Sequence, residues 1–236
     1  MNDKLNKLKR VWNSYGKNDP YWSVLTLDEY KSSSLKKNYD KFFDTGKKHI
    51  TDLENILQRH NSTFKDKVIL DFGCGVGRLT KSCTDYSLKV YGMDISEEHL
   101  KIAKRNVKSA SFYCVESENN LPKLPINPEI IISLITLQHS EPKLIKKYLI
   151  SLLKILQMNG ISCIHIPYKI NSYHVNSSDK MQMHSLSKDD VKKIVHFSNC
   201  KILEEIDSDL TDKRNGIFSA IYVIKKCKKY IWRQPL

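Results

Sequence analysis

The chain has 236 residues, enough for one α/β domain with an appendage and for a core that folds without disulfide or metal staples. Hydrophobic residues make up 40% and charged residues 28%, and no apolar run approaches the roughly 20 residues of a membrane span. These figures exclude collagens, coiled-coil rods, disulfide-rich miniproteins and integral membrane proteins.

The charge balance is strongly positive, because 39 lysines and arginines face 26 acidic residues and leave a formal net charge of +13. Such an excess suits a nucleic acid, an anionic membrane surface or a phosphorylated substrate. Only six of the 39 basic residues are arginines, whose planar guanidinium is best suited to grip phosphate. A solvated lysine surface is therefore the simpler interpretation.

The six cysteines are scattered along the chain without a C-x-x-C pair or a histidine at metal-ligand spacing. This usage is typical of reduced thiols and predicts neither a disulfide framework nor a metal site. The first ten residues also lack the apolar segment of a secretory signal. We therefore expect a cytoplasmic protein without a metal cofactor.

The first 65 residues differ from the rest in their many aromatic side chains and their helical periodicity. Residues 17–20 form a turn signal, and residues 45–58 place four aliphatic side chains on one helix face. We predict an N-terminal helical extension at residues 1–65 and a second domain at residues 66–236.

From residue 67 onward, short apolar runs alternate with helical patterns, which predicts βαβ units and a parallel sheet. The predicted strands cover residues 68–70, 89–93, 111–115, 130–134, 161–166, 201–206 and 217–224. The predicted helices cover residues 79–86 and 187–197, and two more begin at the N-caps Ser96 and Ser140, the second ending at Gly160. Residues 167–186 are polar without a predicted element, and they follow a strand, where α/β folds place their sites.

The most informative stretch is the sequence VILDFGCGVGRLT at residues 68–80. A buried strand ends in Asp71, and Gly73, Gly75 and Gly77 follow at alternate positions, which permits a tight turn close to a ligand. Position 78 is arginine, so the third glycine of the dinucleotide fingerprint G-x-G-x-x-G is missing. The carboxylate of Asp71 would repel a pyrophosphate, whereas it suits a ligand with an ammonium group.

A second carboxylate, Asp94, ends the next predicted strand. At this point of an α/β fold an acidic side chain can accept both hydroxyls of a ribose. The two carboxylates together favour a ligand with a ribose, a positive charge and no phosphates. S-adenosylmethionine (SAM) fits that description, and NAD fits it poorly.

Residues 68–95 and the strand order after them resemble the class I SAM-dependent methyltransferases, over roughly residues 67–224. The resemblance implies an α/β Rossmann-like fold whose seven-stranded mixed sheet has an antiparallel last strand and helices on both faces. It also implies that SAM lies across the C-terminal strand edges. The positions that match the family's methionine site are Asp71, Gly73 and Gly75, and Asp94 matches its ribose site.

Further cofactor contacts are expected beside these positions and on the third strand. Cys74, Gly77 and Ile95 adjoin the matching residues. After the third strand the family places an adenine contact, for which Glu116 and Ser117 are the candidates that we retain.

The N-terminal segments around Trp22 and Gly46 resemble an extension found in a subset of bacterial methyltransferases. There it forms a lid over SAM and part of the acceptor pocket. Exclusion of water helps transfer from a sulfonium, and aromatic faces suit a cation, so both residues are predicted to contact SAM. The alternative is that Tyr21 and Trp22 only pack the extension onto the sheet.

The exit of the fourth strand contains Leu-Gln-His rather than Asn-Pro-Pro-Tyr, which resembles methyltransferases of small molecules and glycans. His139 is a candidate general base, or else it holds the loop beside SAM. Tyr168 and His184 are further candidates for catalysis. His165 lies inside a strand pattern and is predicted to be a core residue, and His174 to be a solvated loop residue.

We therefore predict a SAM-dependent O-methyltransferase that produces S-adenosylhomocysteine. Its expected acceptor is a small molecule such as a sugar or a phosphorylated precursor of a bacterial capsular polysaccharide. An RNA methyltransferase that uses the basic surface and the lysine-rich tail, and a non-catalytic SAM-binding subunit, remain alternatives. A nicotinamide oxidoreductase is disfavoured by the arginine at position 78.

Overall fold

A computed structural model describes residues 3–117, 119–171, 181–210 and 216–228 of the chain. The helices are α1 Asp3–Asn18, α2 Trp22–Leu25, α3 Leu35–Arg59, α4 Arg78–Cys83, α5 Glu97–Asn106, α6 Pro142–Ile155 and α7 Lys188–Phe197. The strands are β1 Val68–Phe72, β2 Lys89–Asp94, β3 Ser111–Cys114, β4 Ile130–Ser133, β5 Ile161–Ile170, β6 Cys200–Ser208 and β7 Ile217–Lys226. Short 3₁₀ turns cover Asp28–Tyr30 and Leu137–His139.

The strands form one seven-stranded sheet in the order β3-β2-β1-β4-β5-β7-β6. Strands β1 to β5 pair in parallel, whereas β7 is antiparallel to both of its neighbours, β5 and β6. The predicted mixed sheet with an antiparallel last strand is therefore confirmed. The chain leaves β1 toward β2 on one side and returns to β4 on the other, so a crevice opens between β1 and β4 at their carboxyl ends.

Helices cover both faces of the sheet, as the side chains of β1 illustrate. Leu70 packs in a core with Leu149 and Leu152 of α6, whereas its neighbour Ile69 packs in a second core with Leu53 of α3. All five residues of β1 are buried, which is typical of a central parallel strand. The near-continuous apolar runs in the sequence therefore reflect burial on two faces.

The N-terminal extension is attached to the sheet by polar contacts as well as by its core residues. The Ser96 hydroxyl donates to Asn13 Oδ1 of α1 at 3.0 Å, and Ser23 of α2 contacts Nε2 of the buried His99 at 2.8 Å. Leu5 of α1 is buried in the core beneath α6. The division of the chain at residue 65 stays a prediction, and these contacts show the extension packed against α5.

Of the two predicted N-caps, Ser96 is confirmed, and Ser187 caps a helix without having been predicted to do so. The Ser96 side chain accepts a hydrogen bond from the His99 amide at the start of α5. The Ser187 side chain does the same for Asp190 in α7. Both serines satisfy an amide that the first helical turn leaves without an internal acceptor.

The prediction that Ser140 caps α6 is wrong, because Glu141 is the N-cap and Pro142 begins the helix. Proline fits there since the first amide of a helix has no internal partner. The predicted stop at Gly160 is also wrong: the helix ends at Ile155, and Gly160 lies in the turn before β5. A Cβ at Gly160 would lie 2.7 Å from the Glu129 carbonyl oxygen, so close packing explains this glycine.

Other element boundaries are longer than the sequence pattern suggests. Helix α3 begins at Leu35 rather than at residue 45, and β5 continues to Ile170 because its end pairs with β7. The start of residues 167–186 is therefore strand rather than loop. His174 lies outside the described residues. Within the described part of the chain, no helix is both long and apolar enough to cross a membrane.

Gly46 provides a test of packing between α3 and α4. A Cβ at this position would lie 2.4 Å from the Arg78 carbonyl oxygen, which is backbone and cannot move aside. Helix propensity alone would make Gly46→Ala stabilising by about 1 kcal/mol. We expect instead a loss of about 2 kcal/mol in the free energy of unfolding, measured by urea denaturation.

The matched control for this variant is Lys47→Ala, which changes the adjacent, exposed position of the same helix. It should alter the free energy of unfolding by less than about 0.5 kcal/mol. A Gly46→Ala protein that is more stable than wild type would contradict the packing of α3 on α4.

His165 provides a test of the core through pH. It is fully buried in β5, and neither ring nitrogen has a hydrogen-bond partner among the described residues. Burial lowers the pKa of His165 to about 3, so the unfolded chain binds a proton there that the folded chain does not. Stability at this site is thus present above about pH 6.5 and is lost as the pH falls toward 3.

The variant His165→Leu should therefore reduce the pH dependence of the unfolding free energy by up to about 1.4 kcal/mol per pH unit between pH 4 and 6. Urea denaturation at several pH values measures the slope. His196→Leu, at an exposed histidine, is the control and should keep the wild-type slope. Equal slopes for wild type and His165→Leu would show that this ring is not held neutral.

Candidate active site

An open cavity lies at the carboxyl ends of β1, β2 and β4, where the strand order reverses. Its walls come from the loop after β1, the end of β2, the loop after β4, and helices α1 and α2 of the extension. The residues that line it include Leu8, Trp12, Ser23, Val24, Asp71, Gly73, Cys74, Gly75, Arg78, Asp94, Ile95, Thr136 and His139.

The glycine loop lies against its neighbours without room for side chains. Gly73 has φ +79°, and a Cβ there would lie 2.0 Å from Thr136 Cγ2. Gly75 has φ +53°, and its Cβ would lie 2.9 Å from a methyl of Val24 in α2. The sequence needs glycine at both positions because the backbone is left-handed and the neighbouring elements approach closely.

Asp94 ties the tip of β2 to this loop. Its Oδ2 accepts from the Gly75 amide at 2.9 Å, and its Oδ1 accepts from the Ser96 amide at 2.8 Å. The loop is also fixed by the amides of Gly73 and Cys74, which both donate to the Met93 carbonyl. Each carboxylate oxygen of Asp94 keeps a further lone pair for a ligand hydroxyl.

Asp71 is a buried carboxyl group on the wall of the cavity. Its Oδ2 accepts from the Thr80 hydroxyl at 2.7 Å. Burial raises the pKa of Asp71 to about 6, against the opposing effects of that hydrogen bond and of the Arg78 cation. A cationic ligand group in the cavity would favour its ionised form.

Arg78 is a buried cation on the same cavity wall, and no motif in the sequence predicts a role for it. One guanidinium nitrogen contacts Thr45 Oγ1 at 3.2 Å and His49 Nδ1 at 2.9 Å. Its Nε has no hydrogen-bond partner among the described residues. Burial lowers the pKa of Arg78 only to about 10, so the side chain stays charged at neutral pH. Burial and the Arg78 cation together lower the pKa of His49 to about 4.

Five predicted cofactor residues do not line this cavity in the described structure. Gly77 faces Val107 and Ala103 of α5, and Gly46 packs on the Arg78 backbone. Glu116 is exposed and Ser117 half-buried beyond the end of β3. Trp22 lies beside Tyr15, with ring centroids 6.1 Å apart, in a separate surface depression.

Trp12 of α1 supplies the aromatic wall that the sequence analysis assigned to Trp22. Its ring meets the His139 ring edge to face, with centroids 5.0 Å apart, and lies 6.0 Å from His99. The N-terminal extension therefore does cover the cavity, but through α1 and the start of α2. A helical tryptophan in a segment without a motif gave no signal for this role.

His139 has a defined orientation at the edge of the cavity. Its Nδ1 donates to the Gln182 carbonyl at 3.1 Å, and its Nε2 faces the Gln138 side-chain amide at 3.3 Å. Burial lowers the pKa of His139 to about 4, so the ring is neutral at pH 7. Since Nδ1 carries the proton, Nε2 is the acceptor.

A second cavity shares Leu8, Trp12 and His139 with the first. It also contains His184, whose amide donates to the Gln138 carbonyl at 2.7 Å. The structure thus brings two of the three predicted catalytic residues together.

The third predicted catalytic residue, Tyr168, lines neither cavity in the described structure. Its hydroxyl donates to Asp207 Oδ1 at 3.3 Å, and Lys188 Nζ lies 4.1 Å from its ring centroid. The continuation of β5 to Ile170 explains this position, because Tyr168 belongs to the sheet rather than to a loop over the site.

Comparisons with known proteins agree on a methyltransferase domain, which matches residues 69–160. The ubiquinone biosynthesis O-methyltransferase of Idiomarina loihiensis is 27% identical over 96 residues, 39% of this chain and 40% of that protein. The malonyl-[acyl-carrier protein] O-methyltransferase of Bacillus anthracis is 30% identical over 117 residues, 48% of this chain and 43% of that protein. The chain thus spans less than half the length of these curated relatives.

Among solved structures, magnesium protoporphyrin IX methyltransferase from Synechocystis PCC 6803 with bound SAM has a TM-score of 0.66. The alignment covers 96% of this chain and 98% of that one at 16% identity, which is a likeness of fold. The matched methyltransferase domain contains both the glycine loop and Asp94, and the chain as a whole shares the fold of this SAM-bound structure.

Proposed function

We propose that the chain transfers a methyl group from SAM to an oxygen atom of a small-molecule acceptor. The observation that carries this proposal is the set of charges around the first cavity: two carboxyl groups, Asp71 and Asp94, and one buried guanidinium, Arg78. SAM has an ammonium group, a carboxylate and a ribose diol, and each finds a complementary partner in this set. The names of two of the three curated relatives support oxygen as the acceptor atom.

The residues present fit SAM by their chemistry. Arg78 would hold the carboxylate through its unpartnered Nε, and Asp71 would hold the ammonium group. Asp94 would accept from the ribose hydroxyls while it keeps its two backbone partners. The aromatic ring of Trp12 suits a cationic sulfonium. Cys74 and Ile95 line the same cavity and would contact the nucleoside.

SAM supplies an already activated methyl group, so the protein has little covalent chemistry of its own to perform. The described residues instead exclude water, since α1 and α2 cover the cavity, and orient the reactants. His139 Nε2 would accept a hydrogen bond from an acceptor hydroxyl at the boundary of the two cavities. An acceptor oxygen that is already anionic needs no such base.

The acceptor that we favour is a sugar or a phosphorylated precursor of a capsular polysaccharide, as the sequence analysis predicts. The lysines around the second cavity support the phosphorylated form. The six unpaired cysteines support a cytoplasmic location as part of the same proposal.

Asp94→Ala tests the cofactor assignment. Loss of the ribose contact should weaken SAM binding by at least about tenfold, measured by calorimetry on the full chain. Asp85→Ala, which removes an exposed carboxylate after α4, is the control and should leave the affinity unchanged. Unchanged affinity in Asp94→Ala would remove the ribose assignment.

A second measurement separates a direct contact from collapse of the glycine loop. In wild type, 2′-deoxy-S-adenosylhomocysteine should bind more weakly than S-adenosylhomocysteine. In Asp94→Ala the two should bind alike, because the partner of the hydroxyl is gone. If removal of the 2′-hydroxyl weakened binding by the same factor in wild type and in Asp94→Ala, contact between Asp94 and the ribose would be contradicted.

Asp71 gives a prediction for pH. Because burial raises the pKa of Asp71 to about 6, the free protein holds a proton there below pH 6. A bound ammonium group favours the carboxylate, so SAM affinity should rise about tenfold from pH 5 to pH 7. Calorimetry in buffers of different ionisation enthalpy should show proton release at pH 5.5.

The variant Asp71→Asn should bind SAM more weakly at pH 7 and lose most of this pH dependence. The Asn side chain keeps an acceptor for Thr80, so the fold should survive the change. A wild-type affinity that is flat between pH 5 and pH 7 would contradict the assignment of Asp71 to the ammonium group.

A further inference from the structure

The second cavity is ringed by positive charge. Its lining includes Lys4, Lys7, Lys143 and Lys147, against a single acidic side chain, Glu141, among the described residues. Glu141 forms an ion pair with Lys4, so the described lining has three more positive charges than negative ones. Two helices supply these lysines, α1 on one side and α6 on the other.

The position of Lys143 is unfavourable for its own helix. It lies in the first turn of α6, where the helix dipole disfavours a cation and where the nearby carboxylate of the N-cap Glu141 is paired with Lys4. The lysines of α1 face it across the cavity and add like-charge repulsion. A bound anion would relieve both effects, and the amides at the start of a helix would favour it further.

The interior of the same cavity is apolar. Leu8 and Val11 of α1, Leu144 of α6 and Met181 lie between the lysines, and Trp12 and His139 form the wall toward the first cavity. Lys7 and Lys143 are exposed, so the charge lies at the rim. A molecule that fits this arrangement has an anionic group at one end and an apolar face toward Trp12.

We propose that the second cavity is the acceptor site and that it selects a small molecule with a carboxylate or phosphate group, held by Lys7 and Lys143. This inference rests on the proposed function, because it takes the first cavity as the SAM site. The acceptor oxygen then lies on the side of Trp12 and His139, the residues shared by the two cavities. Of the two acceptors favoured above, the phosphorylated precursor has the anionic group that these lysines would hold, and a neutral sugar lacks it.

The test uses the full chain saturated with S-adenosylhomocysteine and three probes of similar size: phenyl phosphate, benzoate and neutral benzyl alcohol. Calorimetry should show at least one anionic probe binding about tenfold more tightly than benzyl alcohol, with an affinity that falls as salt is added. The ratio between phenyl phosphate and benzoate identifies which anion the site prefers. Equal binding of all three probes would overturn the proposal.

The double variant Lys7→Gln, Lys143→Gln should lose about tenfold in affinity for the preferred anionic probe and keep its affinity for S-adenosylhomocysteine. The matched control is Lys104→Gln, Lys108→Gln, which removes the same charge from two exposed positions, one in the last turn of α5 and one just after it. Its anion affinity should equal that of wild type. An equal loss of anion affinity in both double variants would show that the probe responds only to the net charge of the chain, and it would overturn the specific site.

The failure of this inference can be told apart from failure of the proposed function. If the chain does not bind S-adenosylhomocysteine at all, the assignment of the first cavity is wrong. If it binds that molecule but does not discriminate between anionic and neutral probes, only the acceptor class is wrong.

Discussion

The bridge that Asp94 makes between the glycine loop and the start of α5 is the constraint on which the site depends. One carboxylate accepts from the amides of Gly75 and Ser96, on two different loops, and thereby fixes the distance between the tips of β1 and β2. These short charge-assisted bonds are stronger than neutral ones. The positions of Asp71 and Arg78, which precede and follow the glycines, are set by the same loop.

Burial of two opposite charges beside one cavity is an unfavourable arrangement for the free protein. Desolvation raises the pKa of Asp71 and lowers that of Arg78, so neither group fully compensates the other. Arg78 also keeps an unpartnered Nε among the described residues. A ligand with an ammonium and a carboxylate group at one end would supply an opposite charge to both Asp71 and Arg78. Because these side chains are already oriented before binding, they need little rearrangement when the ligand enters.

The features that could be predicted from the sequence are those set by residues close together along the chain. The strands, the cap at Ser96, the glycine turn and Asp94 all have local signals, and the sheet follows from their order. The roles of Trp12 and Arg78 depend on packing between distant segments. Arg78 was interpreted only as a missing glycine, and Trp12 lies in an amphipathic helix whose docking no motif encodes.

The same distinction applies to the positive charge of the chain. A formal charge of +13 is compatible with RNA, a membrane surface or a solvated exterior, and composition alone does not choose among them. The structure adds the positions of the lysines, which composition does not give. Four of them surround a cavity that adjoins the methyltransferase site, and one of those occupies a helix turn that disfavours it. The positions of these lysines, one of which lies where the helix dipole disfavours a cation, therefore favour an anionic acceptor more than their number does.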